Sequence, residues 1–197
     1  MINATATVTC TTASRYDRLH FGIIRFVHET LYGVFVNPYD LLTTAGLKPG
    51  QQVLEVGCGP GFFTIPAAKI VREAGHVCAL DINAAAVEHV RSKIARSGLA
   101  NVEVKLADAS ETGLARDCVD VVFLFGVMLA LRDVNKVLRE MHRVLKSEGT
   151  LSIQSGMAEN EVRRIVSANG LFGFREKTKR VLVFEKLEAS IVDSSSA

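Results

Sequence analysis

Three carboxylates and three glycines in the first 108 residues have the types and spacing that chemistry needs. Gly57, Gly59 and Gly61 lie in Val53-Leu-Glu-Val-Gly-Cys-Gly-Pro-Gly61, an apolar run that passes into a glycine-rich stretch. Glycines so placed let the chain turn sharply and let a ligand lie against backbone N–H groups. Glu55 stands two residues before Gly57. From there its carboxylate either organises the loop amides, meets a cationic amino group, or is a partnered structural acid. Asp81 closes the next apolar run, 20 residues after Gly61. A carboxylate in that place can accept hydrogen bonds from both hydroxyls of an unphosphorylated ribose. Asp108 follows a third run. It reads either as a turn former or as an acceptor for the exocyclic amine of adenine. Nicotinamide and flavin enzymes also use such loops, but their G-x-G-x-x-G fingerprint needs glycine where this chain has Phe62.

The elements that must position these groups alternate. Short apolar runs at Gln52–Val56, His76–Ile82, Val102–Leu106, Val119–Phe125 and Thr150–Gln154 read as strands. Helical periodicity fills Phe63–Arg72, Ala84–Ser97, Val134–Lys146 and Glu159–Ala168. In the third of these, Val134, Val137, Leu138, Met141 and Leu145 form one apolar face. Strands alternating with helices predict a parallel sheet covered on both faces. Leu171–Arg175 and Val181–Glu185, joined by the polar stretch Glu176 to Arg180, predict an antiparallel hairpin at one edge. The expected fold is therefore α/β, a doubly wound, mostly parallel seven-stranded sheet. Its boundaries read as a tail at 1–14, a helical N-terminal cap at 15–45, the sheet domain at 46–188 and a second tail at 189–197.

With these motifs in order, the chain resembles the class I S-adenosylmethionine-dependent methyltransferases over residues 45–186. Glu55-Val-Gly-Cys-Gly-Pro-Gly61 is similar to that family's first motif, and Leu80-Asp-Ile-Asn83 to its acidic second-strand end. Ala107-Asp-Ala109 is similar to its adenine loop, and Val137 to Gly149 to the helix that leads into its fifth strand. Ser147-Glu148 departs from the commoner Pro-Gly and affects a turn only. The resemblance implies a Rossmann-like methyltransferase fold with S-adenosyl-L-methionine as cofactor. It implies that Asp81 holds the ribose hydroxyls, Ile82 packs on adenine, and Asp108 with the Ala109 amide reads the adenine edge. Gly57 and Gly59 would approach the methionine part, whose amino group also meets backbone near Phe125, and Cys58 and Gly61 are the remaining cofactor-binding positions of the loop.

The sulfonium cofactor already carries an activated methyl, so alignment and exclusion of water are the main tasks. Pre-aligned reactants account for about 7–11 kcal/mol of barrier, against a typical 10²–10⁴-fold from a general base. No catalytic dyad is required. His20 and His28, with Tyr16, are the candidates for a base acting on a phenol or thiol, though packing or surface roles suit them better. The segment Gly126-Val-Met-Leu-Ala-Leu131 should border the acceptor and is wholly apolar.

Composition narrows the partners. Lys and Arg number 23 against 21 Asp and Glu, a formal net charge of +2 that gives no push toward DNA or an anionic membrane. A small-molecule acceptor is expected, an RNA or protein acceptor is the alternative, and a non-catalytic nucleoside-binding protein is a third reading. Cys10, Cys58, Cys78 and Cys118 contain no C-x-x-C pair, so neither a zinc site nor a redox pair is expected. Reduced thiols and the lack of a leader point to a cytoplasmic protein. The longest apolar run, Val119 to Leu131, is too short to span a bilayer. The basic stretch Arg175-Glu-Lys-Thr-Lys-Arg180 reads either as a solvated tip or as a phosphate contact.

Overall fold

The computed structural model describes residues 37–188. Tyr16, His20, His28, Cys10, both expected tails and most of the expected cap lie outside the described residues. Helix α1 (Pro38–Thr44) is the described part of that cap. Asn37 caps it by accepting from the Tyr39 N–H at 3.0 Å, and Pro38 takes the first helical position, where a missing N–H costs nothing.

Strand and helix then alternate as β1 (Gln52–Val56), α2 (Thr64–Val71), β2 (His76–Asp81), α3 (Ala84–Ser97), β3 (Val102–Leu106) and β4 (Val119–Phe125). They continue as α4 (Val134–Val144), β5 (Leu145–Gln154), α5 (Glu159–Ser167), β6 (Phe172–Thr178) and β7 (Val181–Lys186). The seven strands form one sheet in the order β3-β2-β1-β4-β5-β7-β6. The first five run parallel, and β7 joins β5 and β6 antiparallel.

Alternation along the strands assigns the two faces. Leu54, Leu80, Leu124, Leu151 and Phe184 pack with Leu138 and Met141 of α4 and Val162 of α5. Val53, Val77, Phe123 and Val183 face the other way, toward α1 and α2. Because both faces are covered, the central strands β1, β2 and β4 carry apolar residues almost without a break.

Two boundaries differ from the sequence reading by more than one residue. Helix α4 stops at Val144, before the expected Lys146, and β5 begins at once because Leu145 pairs with Val119. The edge hairpin has a shorter tip than expected. Glu176, Lys177 and Thr178 stay in β6 and pair with Val183, Leu182 and Val181, which leaves a turn at Lys179-Arg180. Lys179 has φ of +55°. Among the described residues no helix is long and apolar enough to cross a membrane.

Candidate cofactor site

The glycine-rich stretch leaves β1 between the carboxyl ends of β2 and β4. Its backbone is tied inward. The N–H groups of Gly57 and Cys58 both donate to the Leu80 carbonyl, at 2.8 and 3.0 Å. Gly61 N–H donates to the Cys58 carbonyl at 2.8 Å, and Gly59 N–H to Asp81 Oδ2 at 2.9 Å. This corrects the expectation that the loop offers its amides to a ligand. Those amides already have acceptors, so the hydrogen-bonding capacity that remains in the loop is carbonyl oxygen.

The three glycines answer different demands. All have positive φ, from +49° to +74°. A Cβ at Gly57 would lie 2.4 Å from Val127 Cγ1, and one at Gly61 would lie 3.1 Å from Val90 Cγ2. Packing against the segment after β4 therefore excludes a side chain at Gly57, whereas at Gly61 Val90 of α3 would have to give by a few tenths of an ångström. At Gly59 a Cβ would meet nothing within 4 Å. Open space lies over that one glycine.

Of the readings open to Glu55, the structure shows the partnered structural acid, and the loop-holding role falls to Asp81. Glu55 is 2% exposed and accepts from the Thr64 hydroxyl at 2.6 Å. It holds the start of α2 and no loop amide. Burial pushes its carboxyl up to about 8, against the lowering pull of Thr64. Asp81 is the acid that organises the loop. Besides Gly59 it accepts from the Asn83 N–H at 2.8 Å. Burial raises its pKa in spite of those bonds. The Ile82 N–H also contributes, and an ionised carboxylate offers about four acceptor positions, so acceptor capacity remains beyond these amides.

Ile82, next along, is 63% exposed. Asp81 carbonyl accepts from the Ala107 N–H at 3.1 Å, which brings the ends of β2 and β3 together. Asp108 Oδ1 takes both the N–H and the hydroxyl of Ser110, at 2.8 and 2.7 Å, and these bonds hold its pKa below the usual range. It is a turn former, as one of its two readings proposed. Its Oδ2 has no hydrogen-bond partner among the described residues. Ala109 is buried in the main core cluster.

The sulfur of Cys58 sits with Ala79, Val87 and Val90 behind the loop. Burial pushes its thiol far above the ordinary range, so it fills space and is no nucleophile. The Phe125 ring packs at 5.1 Å from both Phe63 and Phe123, so only its backbone borders the site. Beyond it, the apolar segment divides. Met128 is buried in the core and Leu131 half-buried against it, while Leu129 is 75% exposed. No group of three or more His, Cys, Asp or Glu among the described residues could hold a metal ion.

A feature that sequence reasoning missed lies on the other side of β4. Gln154 ends β5, 9% exposed, and faces a cleft of about 470 Å³ that Gly126 also lines. A polar residue at the last buried position of an apolar strand is the signal that marks it.

A family model described as a methyltransferase domain matches residues 47–180. Among curated proteins, the ubiquinone/menaquinone biosynthesis C-methyltransferase UbiE of Vibrio vulnificus is 37% identical over 110 residues, 55% of this chain and 42% of that protein. The UbiE of Vibrio campbellii is 33% identical over 142 residues, 72% of this chain and 52% of that protein. The chain thus spans about half the length of the curated relatives it matches. Among solved structures, a SAM-dependent methyltransferase from Aquifex aeolicus is 26% identical with a TM-score of 0.77, covering 84% of this chain and 97% of that one.

Proposed function

The chain belongs to the class I S-adenosylmethionine-dependent methyltransferases, and from that premise we propose that it transfers a methyl group to a small, partly apolar acceptor. When bound, S-adenosyl-L-methionine would supply a methyl group activated on a sulfonium, whose carbon would bond to an electron pair of the acceptor as the C–S pair stays with the departing thioether sulfur. The residues around the glycine-rich loop fit that cofactor. The observation that carries the reading is the Asp81–Gly59 hydrogen bond, which fixes an acid with remaining acceptor capacity beside a loop that is open above Gly59.

In this reading Asp81 accepts from the ribose hydroxyls, and the exposed Ile82 supplies an apolar platform for adenine. Asp108 Oδ2 and the Ala109 N–H address the adenine edge. The carbonyl oxygens at Gly57 and Gly59 suit the ammonium of the methionine part, since a loop whose amides are tied inward presents acceptors to a cation. Gly61 and Cys58 keep that shape from behind, and the backbone after Phe125 closes the far side. The names of the Vibrio relatives support a small acceptor.

Calorimetric titration of the full chain with S-adenosyl-L-methionine and with NAD tests the reading. S-adenosyl-L-methionine should bind and NAD should not, and Asp81→Ala should weaken the former by at least about tenfold, the scale of lost charge-assisted hydrogen bonds. Preference for NAD would overturn it.

A further inference from the structure

The cleft beyond β4 has a composition that the cofactor does not use. Its walls combine apolar Met157, Val162 and Leu182 with the amide of Gln154. That side-chain amide has no hydrogen-bond partner among the described residues, although the residue is nine-tenths buried. Because that amide opens onto the cleft, a ligand lying there can supply its hydrogen bonds.

The rim is cationic. Shortening the hairpin tip brings Lys177, Lys179 and Arg180 to the cleft. Lys177 is paired with Glu159 at 2.8 Å and Lys179 with Asp40 at 3.1 Å. Arg180 has no acidic partner among the described residues. The two lysine pairs are exposed, so each is worth little and yields readily to a better anion. An arginine in this position presents a planar fork suited to carboxylate or phosphate.

The cleft also lies beside the cofactor loop. Gly126 N–H donates to the Gln154 carbonyl at 2.9 Å, and Val127, next in the chain, is the residue that a Cβ at Gly57 would strike. Resting on the methyltransferase reading, we infer that this cleft is the acceptor subsite and takes an amphipathic anion. The apolar body lies on Met157, Val162 and Leu182, Gln154 bonds a polar atom within, and Arg180 holds a carboxylate or phosphate at the mouth. An anionic acceptor beside a cationic sulfonium also matches charge across the two subsites.

Four probes of one ring system test this on the full chain by calorimetry: 1-naphthoate, 1-naphthyl phosphate, 1-naphthylmethanol and 1-naphthylmethylamine. The two anions should bind at least about fivefold tighter than the alcohol, with the amine weakest, and the tighter anion identifies carboxylate or phosphate as the preferred group. Arg180→Glu should remove the preference for anions and leave the alcohol unchanged. Gln154→Met should weaken the anions and the alcohol alike. Alcohol or amine binding as tightly as the anions, or a preference that survives Arg180→Glu, would overturn the assignment. S-adenosyl-L-methionine is titrated into the same three proteins. Failure to bind it with the anion preference intact sinks the cofactor reading and spares the cleft, whereas normal binding without that preference sinks the cleft alone.

Discussion

The carboxyl ends of β1, β2 and β3 differ from those of β4 and β5, with the start of β7 beside them, in how their polar groups are employed. At the first set, Asp81 holds Gly59 and Asn83, Asp108 holds Ser110, and Glu55 holds Thr64. The chain fixes its own loop there before any ligand arrives. At the second set, Gln154 and Arg180 have no such partners among the described residues. One end is organised in advance for a single nucleoside shape. The other keeps its polar groups available, and there specificity is open to variation without loss of the fold.

The largest test of this contrast is at its border. Gly57→Ala places a methyl against Val127 at a residue with φ of +74°. Overpacking and a left-handed alanine together cost roughly 2–4 kcal/mol, which lowers Tm by roughly 5–15 °C in a chain of this size. A melting curve for the variant that overlays the wild type would mean that the two ends are not packed together at this point.

Glu55 gives a smaller effect with a definite sign. Its folded pKa of about 8 lies above the ordinary 4.5, so the native state holds the proton more tightly. Its contribution to stability is full below about pH 4.5 and fades as pH rises through about 8. Wild-type Tm should therefore fall between about pH 5 and about pH 8.5 more steeply than that of Glu55→Gln. Equal slopes would show that the acid is already ionised in the folded protein.

The smallest effect is expected from the other end. Gln154→Met replaces an unpaired amide by an apolar group of similar shape, which is close to neutral for stability. Its Tm should stay within about 3 °C of the wild type. A fall as large as that expected for Gly57→Ala would show that Gln154 has a structural partner, and would erase the difference between the two ends.

Much of this was legible in the residues. The bounds of β1 and α3 follow from an apolar run before glycines and from Asn83 and Gly98 at the helix ends. The mostly parallel seven-stranded sheet was accessible because buried parallel strands leave apolar runs, while the order of its strands came only with the fold. The join of α4 to β5 was not, since Lys146-Ser-Glu-Gly149 carries no strand pattern and only the pairing of Leu145 with Val119 makes it one. The tip of the hairpin was obscured for a related reason: β6 is exposed from Arg175 onward, so neither face demands alternation. Within the site, spacing located Glu55, Asp81 and Asp108 at strand ends but could not say which acid would hold the loop. That choice depends on Thr64 standing within 2.6 Å of Glu55, a contact across two elements.

The place of β7 between β5 and β6 bears on how the chain is assembled as it is made. Until residues 181–186 emerge from the ribosome, β5 has an open edge and β6 has no neighbour to pair with. Nascent chains stalled just after Thr178 should accordingly be vulnerable to protease and prone to self-association, and both hazards should end once the inserted strand is released.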